Sequence, residues 1–432
     1  MSVPELPSIV SPTVPGSASL EWARRLQKSE SPDTTFLSNA FPVFWTRGRG
    51  SIVEDADGNT FLDLTSSFGV LGVGHCHPKV VEAIAYQSGR LIHGMGDVHP
   101  STVKVELLEK IAEFSPIPDP RIILGLNGSD AVEAALKTAY LATGRAGVLA
   151  FNGAYHGLSY GALEPTERNF FRGPFQDQRG KFASHVPFGA AMEEVESAVT
   201  SSTIPIGAVI VEPIQGRAGV ILPPVGWLRS LRDKCSELNV LLILDEIFTG
   251  WGRTGDWFAC IHESVVPDLI CIGKGMGGGM PLSACLGSSA LMEEAWQRSS
   301  GEARHTYTFL GHPLSCAAAL ATIRVLQEEQ LVERSHIMGS RFLESLNSLA
   351  AAYTNLVKVP RGRGMMLALE FDRPEFVWSM VLSGLSKGII LLPAGESGEV
   401  LEIVPPFVLT ERQTEWSLNA IDEMLTALSR SF

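Results

Sequence analysis

Residues 240–274 read VLLILDEIFTGWGRTGDWFACIHESVVPDLICIGK. Two aliphatic runs, 240–245 and 269–273, lead into groups that an apolar run should not tolerate, Asp245 and Lys274. A strand that is apolar on both faces belongs in a mostly parallel sheet covered by helices. Ligands of such sheets bind beyond the carboxyl ends of the strands. A carboxylate and an ammonium at two such ends are costly unless each meets a partner. This stretch therefore sets the fold class and also says where chemistry is to be sought.

The same alternation continues outward. Residues 121–126 (RIILGL), 147–151 and 206–212 (IGAVIVE) read as further strands, and 130–143 (DAVEAALKTAYLAT) as a helix with small residues on its packing face. An α/β fold follows. Residues 50–64 carry Asp57-Gly58 between alternating apolar positions, the pattern of a hairpin. Beyond about residue 327 helix patterns dominate, with short strands at 362–371 and 400–405. The division expected is an N-terminal segment contributing to a small domain (1–60), a large α/β domain (61–326) and a small α+β domain (327–432).

The 432 residues are 45% apolar, enough for a large core, and carry 34 basic against 47 acidic groups. A net charge of −13 repels phosphate backbones and anionic lipid, which argues against nucleic-acid or membrane partners. No apolar stretch approaches membrane-spanning length. Residues 1–19, rich in Pro, Ser and Val, lack the pattern of a secretory or mitochondrial leader. They are expected to be a flexible start to a soluble cytoplasmic protein. Six cysteines without a CxxC pair read as thiols in a reducing compartment rather than a metal site or disulfide frame.

Four strand ends carry suggestive groups. Asn127-Gly128-Ser129-Asp130 opens the small-residue helix, where backbone N–H groups and the positive dipole end favour an anion; Ser and Asp are also ordinary N-caps. Residues 151–157, FNGAYHG, place Tyr155 between glycines, able to lie on a planar ligand or to fill a core. His156 beside it suits a buried histidine. Asp245 suits a pyridinium N–H, or a salt bridge at a strand–loop junction. Lys274, between two glycines, would lose hydration as an ammonium and become a nucleophile toward aldehydes, or would be a surface lysine. Each is ambiguous alone. Together they are the parts that pyridoxal 5′-phosphate requires: a phosphate cradle, a ring stack, an acid for the pyridine nitrogen and an amine for the aldehyde.

The sequence also resembles the class III (ω-amino type) aminotransferases of pyridoxal-phosphate fold type I, from about residue 41 to the C-terminus. The motifs are LILDEIFTGWGRTGDWFA with PDLICIGKGMGGGMPLSA (242–284), NGSDAVEAALKTAY, FNGAYHG, VEPIQG, HTYTFLGHPLSCAAALA (305–321) and DADGNTFLDL with GVGHCHPKVVEAI (55–84). The resemblance implies a seven-stranded sheet and Lys274 as Schiff-base lysine and proton shuttle. It implies Asp245 at the ring nitrogen, Tyr155 and Ile247 on the two ring faces, and Gly128 and Ser129 at the phosphate. Gln215, supported by Glu212, would lie near the 3-oxygen, with His156 in the same site. Thr308 matches a threonine that reaches the neighbouring subunit's phosphate, which implies a homodimer with shared active sites. In this context GKGMGGG is neither a dinucleotide loop nor a P-loop.

The sequence departs from the family at its substrate positions. An arginine that clamps a carboxylate often stands three residues before the first proline of a late PP; here VLEIVPPF puts Glu402 there. A glutamate that pairs with it stands two residues after QG; here QGRAG puts Arg217 there. The swap suggests an ion pair of reversed sense, with Arg217 receiving a carboxylate, or Glu402 greeting a cationic amine, or an unrelated surface pair. Leu158 follows YHG where 4-aminobutyrate-specific members carry arginine. Trp45, Phe68 and Leu158 suggest a pocket for an uncharged chain or ring. The activity expected is ping-pong transfer from an amine or amino acid, including ω-amino donors, to a keto acid. A racemase or aminomutase on the same fold, or a binding protein without cofactor, are the alternatives. Dependence on an acceptor and a visible chromophore separate them.

Overall fold

The computed structural model describes residues 4–431. The chain forms two compact units, one from residues up to 77 together with 337 onward, the other from 78 to 336.

The larger unit is built on a seven-stranded sheet. From edge to edge its strands are Pro120–Gly125, Ser283–Ser288, Leu269–Ile272, Leu241–Asp245, Ile206–Val211, Gly147–Phe151 and Ala183–Val186. All neighbours from Leu269–Ile272 to Ala183–Val186 are parallel. Ser283–Ser288 runs antiparallel to both its neighbours, so Pro120–Gly125 points the same way as the rest. The strands at 147–151, 206–211 and 269–272 are buried at every position, as a doubly covered sheet requires. The helix Gly128–Thr143 covers one face with Ala131, Ala134, Ala135 and Ala139, all nearly inaccessible. Small side chains there let the helix axis approach the sheet. Its start is fixed by a capping box between Asn127 and Asp130, and its end by Gly144 at φ 65°.

The smaller unit holds two four-stranded sheets. The first contains Trp45–Arg49, Ile52–Asp55, Thr60–Asp63 and Ile389–Ile390, with the hairpin turn at Asp57-Gly58 closed by the Asp55 carboxylate. The second contains Val357–Arg363, Met366–Phe371, Val400–Ile403 and Leu392–Ala394. The unit boundaries fall at 77/78 and 336/337 rather than at 60/61 and 326/327. Residues 61–77 stay with the hairpin because Asp63 Oδ2 bonds His75 Nε2 at 2.8 Å and His75 bridges Gly50.

The N-terminal segment, apart from residues 1–3 outside the described range, is not a loose start. Ser8 pairs with Thr60, the Asn59 side chain accepts from Val10 and Ser11, and Asp57 accepts from the amides of Ala18 and Ser19 at the first turn of the helix Ser17–Gln27. Pro and Ser in this stretch reflect an extended backbone bonded to its neighbours, which composition cannot distinguish from disorder. Among the described residues no helix is long and apolar enough to cross a membrane.

Candidate active site

Six strands of the larger unit end on one edge, and the residues that follow five of them form the candidate site. After Pro120–Gly125 comes the turn into Gly128–Thr143. Asp130 Oδ2 accepts from Leu126 N at 2.8 Å, and Ser283 Oγ donates to Asn127 O at 2.6 Å. These bonds hold the turn open above the first helical amides. A Cβ at Gly128 would stand 3.0 Å from Ile247 Cδ1. One at Gly157 (φ +125°) would stand 2.1 Å from Ser129 Oγ. Ser129 Oγ in turn accepts from Leu158 N at 3.2 Å. The corner is therefore lined by backbone N–H groups and a hydroxyl, with glycine where a side chain would fill it.

After Leu241–Asp245, the Asp245 carboxylate is buried and accepts from Ile247 N at 3.1 Å. Its other oxygen lies 2.7 Å from His156 Nδ1. His156 is itself buried, and its amide donates to Thr166 Oγ at 2.8 Å. An ionised Asp245 requires the proton on Nδ1. The bond that defines His156 is thus to Asp245, so the histidine orients the acid that was expected to meet a cofactor nitrogen.

Glu212 follows Ile206–Val211 and accepts from the amides of Tyr155 (2.9 Å) and Gly216 (3.1 Å). Burial pushes its carboxyl up to about 7 against these donors. Gln215 Nε2 donates to Asn152 O at 2.8 Å. The Tyr155 ring is half-buried; burial raises its hydroxyl, and the Arg217 guanidinium carbon lies 5.9 Å from the ring centre. Lys274 opens a short turn after Leu269–Ile272 at φ +28°, a strained value for a side-chain-bearing residue. Its ammonium lies 3.4 Å from the centre of the Phe248 ring. Ile247 joins the two ends of the site, facing Gly128 and also Gly273.

The structure thus links Gly128, Ser129, Tyr155, His156, Glu212, Gln215, Asp245 and Ile247 through bonds and contacts, with Lys274 following the strand beside Asp245. Thr308 lies on a separate, exposed turn of the same unit. Trp45, Phe68 and Glu402 belong to the smaller unit. Trp45 meets His75 edge-on at 5.8 Å, Phe68 sits in a left-handed turn at φ 63° with its ring exposed, and Glu402 is buried on Val400–Ile403. Phe248 and Thr166 were not legible as site residues. Nothing in their spacing marks them, because their roles arise from side-chain packing.

The class III aminotransferase family matches residues 36–425. The chain belongs to the class III aminotransferases. An acetylornithine aminotransferase of Methanosarcina mazei is 36% identical over 382 residues, 88% of this chain and 91% of that protein. One of Methanopyrus kandleri is 38% identical over 387 residues, 90% and 95% of the two chains. Among solved structures, the ornithine aminotransferase of Toxoplasma gondii superposes with a TM-score of 0.87 at 28% identity, covering 96% of each chain. An acetylornithine aminotransferase of Elizabethkingia anophelis gives 0.81 at 27%, covering 95% of this chain and 100% of that one.

As a class III aminotransferase the protein has fold type I and is a pyridoxal-phosphate-dependent transaminase that moves an amino group to a keto acid. Transfer is favoured over the racemase alternative by the same relatives. The residues present fit the cofactor: a glycine-lined corner at a helix start suits a phosphate, and the buried carboxylate of Asp245 suits a protonated ring nitrogen. When bound, pyridoxal phosphate supplies the aldehyde and the electron-accepting ring.

Proposed function

We propose that this transaminase takes the amino group of an amine or amino acid, including ω-amino donors, and passes it to a keto acid whose carboxylate is received by Arg217. Gly128 and Ser129 hold the phosphate through their N–H groups. Asp245, oriented by His156, keeps the ring nitrogen protonated, while Tyr155 and Ile247 cover the two ring faces. Gln215, braced by Glu212, serves the 3-oxygen. Lys274 would hold the cofactor's aldehyde, and its Nζ, when free, would carry the proton from the donor carbon to the aldehyde carbon, acting as base and then acid. The observation that carries the substrate reading is the Arg217 guanidinium beside the Tyr155 ring. A planar two-pronged donor at that place suits a carboxylate.

Trp45 and Phe68 are proposed to meet the uncharged part of the donor, and Glu402 to exchange with the carboxylate for Arg217. Thr308 is proposed to serve the phosphate site of a second copy, making the enzyme a homodimer; its exposure in its own chain supports this. All six cysteines are free and five are buried, which supports a reducing, cytoplasmic setting.

The test has two parts. Borohydride reduction of the coloured protein, followed by peptide mapping, should label Lys274; a label on any other lysine overturns the site. A screen of acetylornithine, ornithine and uncharged ω-amines against 2-oxo acids should show turnover only with an acceptor. Amine turnover without acceptor contradicts the ping-pong reading. In the same screen, Arg217→Glu and Glu402→Arg should each lose acceptor affinity and the double variant should regain part of it. Strict additivity of the two losses would rule out a coupled pair.

A further inference from the structure

The turn that carries Thr308 is tied down on both sides of that residue. On one side, His305 Nδ1 lies 3.4 Å from Lys137 Nζ and His305 Nε2 lies 2.8 Å from the Tyr307 hydroxyl. An ammonium only donates, so Nδ1 is the acceptor and His305 is neutral, with Nε2–H facing Tyr307. Lys137 stands on Gly128–Thr143, the helix whose first turn forms the phosphate corner. Thr306 Oγ donates to Asp97 Oδ2 at 2.9 Å.

On the other side, Leu310 and Gly311 rest on a second segment. A Cβ at Gly96 would stand 1.9 Å from Leu310 O, so the two backbones touch. The Lys104 stem passes beneath Gly311, where a Cβ would stand 2.6 Å from Lys104 Cδ, and Gly311 is at φ +62°. Lys104 Nζ donates to Gly96 O at 2.7 Å. The Lys104 side chain is half-buried, and burial lowers the pKa of its ammonium. His312 stacks on His93 at 5.7 Å. Between these ties Thr308 and Phe309 stay exposed, and the Phe309 carbonyl accepts from His312 N at 3.1 Å.

We propose that Lys104, with Gly96 and Gly311, is a positioning device that holds the turn so that the Thr308 hydroxyl is presented, already ordered, to the cofactor phosphate of a second copy of this chain. This rests on the dimer reading of Thr308. A preordered turn loses no conformational freedom on meeting the phosphate, whereas a loose one would weaken binding by the cost of ordering it. Lys104 touches neither substrate nor cofactor in this scheme and acts through Thr308.

The experiment is titration of apo-protein with pyridoxal 5′-phosphate and, separately, with pyridoxal, followed by absorbance. The dimer is checked by light scattering and the fold by thermal melting. Thr308→Ala should weaken pyridoxal phosphate about tenfold, the size of one hydrogen bond to a charged group, and leave pyridoxal unchanged. Lys104→Met keeps the stem but removes the donor, and should weaken pyridoxal phosphate several-fold with pyridoxal unchanged. Gly311→Ala, which collides with the stem, should act in the same direction. In the Thr308→Ala background, Lys104→Met should add less than a factor of two. If Thr308→Ala leaves both affinities intact, the reading of Thr308 falls. If Thr308→Ala weakens phosphate binding while Lys104→Met and Gly311→Ala do not, or if Lys104→Met weakens pyridoxal equally, the positioning role is overturned.

Discussion

Asp245 and His156 share a 2.7 Å bond between Oδ2 and Nδ1, with both side chains almost fully withdrawn from solvent. The acid is oriented by the histidine on one oxygen and by the Ile247 amide on the other. Asp245→Asn should slow the donor half-reaction by ~10²–10⁴, the range for removing a group that governs protonation in the transition state. His156→Gln should cost less, since it acts through Asp245, and should add little to Asp245→Asn, as expected of coupled neighbours. Stopped-flow absorbance of the donor half-reaction checks both; additive effects would separate the two residues.

Gly157→Ala is expected to damage the corner proposed for the phosphate by direct collision with Ser129. Its backbone is at φ +125° and the added Cβ would meet Ser129 Oγ. The strain costs about 1–3 kcal/mol, and Ser129 must move. Both the unfolding midpoint in urea and the affinity for pyridoxal phosphate should fall.

Glu212 has a pH signature. Its folded carboxyl titrates at about 7 against a usual value of 4.5. Between those values the folded chain keeps a proton that the unfolded chain has lost, so stability declines as pH rises through this window. Glu212→Gln removes the titration but replaces one acceptor oxygen by a donor, leaving either the Tyr155 or the Gly216 amide without its bond. The variant should be less stable than wild type at pH 5.5, by roughly 1–2 kcal/mol, and the gap should narrow by pH 8.5. Melting temperatures of the two proteins at both pH values decide it; a constant gap would show that Glu212 does not titrate there.

Arg217→Ala should raise the KM for a keto-acid acceptor by ~10–100-fold, the loss of a charge-assisted bond, while donors without a carboxylate keep their KM. Retention of full acceptor affinity would remove Arg217 from the substrate site.

The fold class was legible because continuous aliphatic runs have one stable setting, the interior of a covered parallel sheet. Two of its strands were not. Ser283–Ser288 reads SACLGS, small and mixed, and nothing local reveals that it runs against its neighbours. Ala183–Val186, at the sheet edge, is only partly buried and lacks the apolar run. The Pro- and Ser-rich start was misleading for the opposite reason, since its order comes from Asn59 and Asp57, some forty to fifty residues away.

For the candidate site, the sequence by itself determined which chemical groups stand after which strands: a glycine-and-serine helix start, a tyrosine between glycines, an acid and a lysine. That much is one-dimensional, because a strand's last residue is its neighbour in the chain. The tertiary structure alone decided their partners. His156 and Asp245 are 89 positions apart, and Leu158 and Ser129 are 29 apart. Their meeting depends on which strands lie side by side. The Lys104 pin under Gly311 has the same origin, since a lysine and a glycine on separate segments become a device only when the stem of one lies close enough to the backbone of the other to exclude a Cβ.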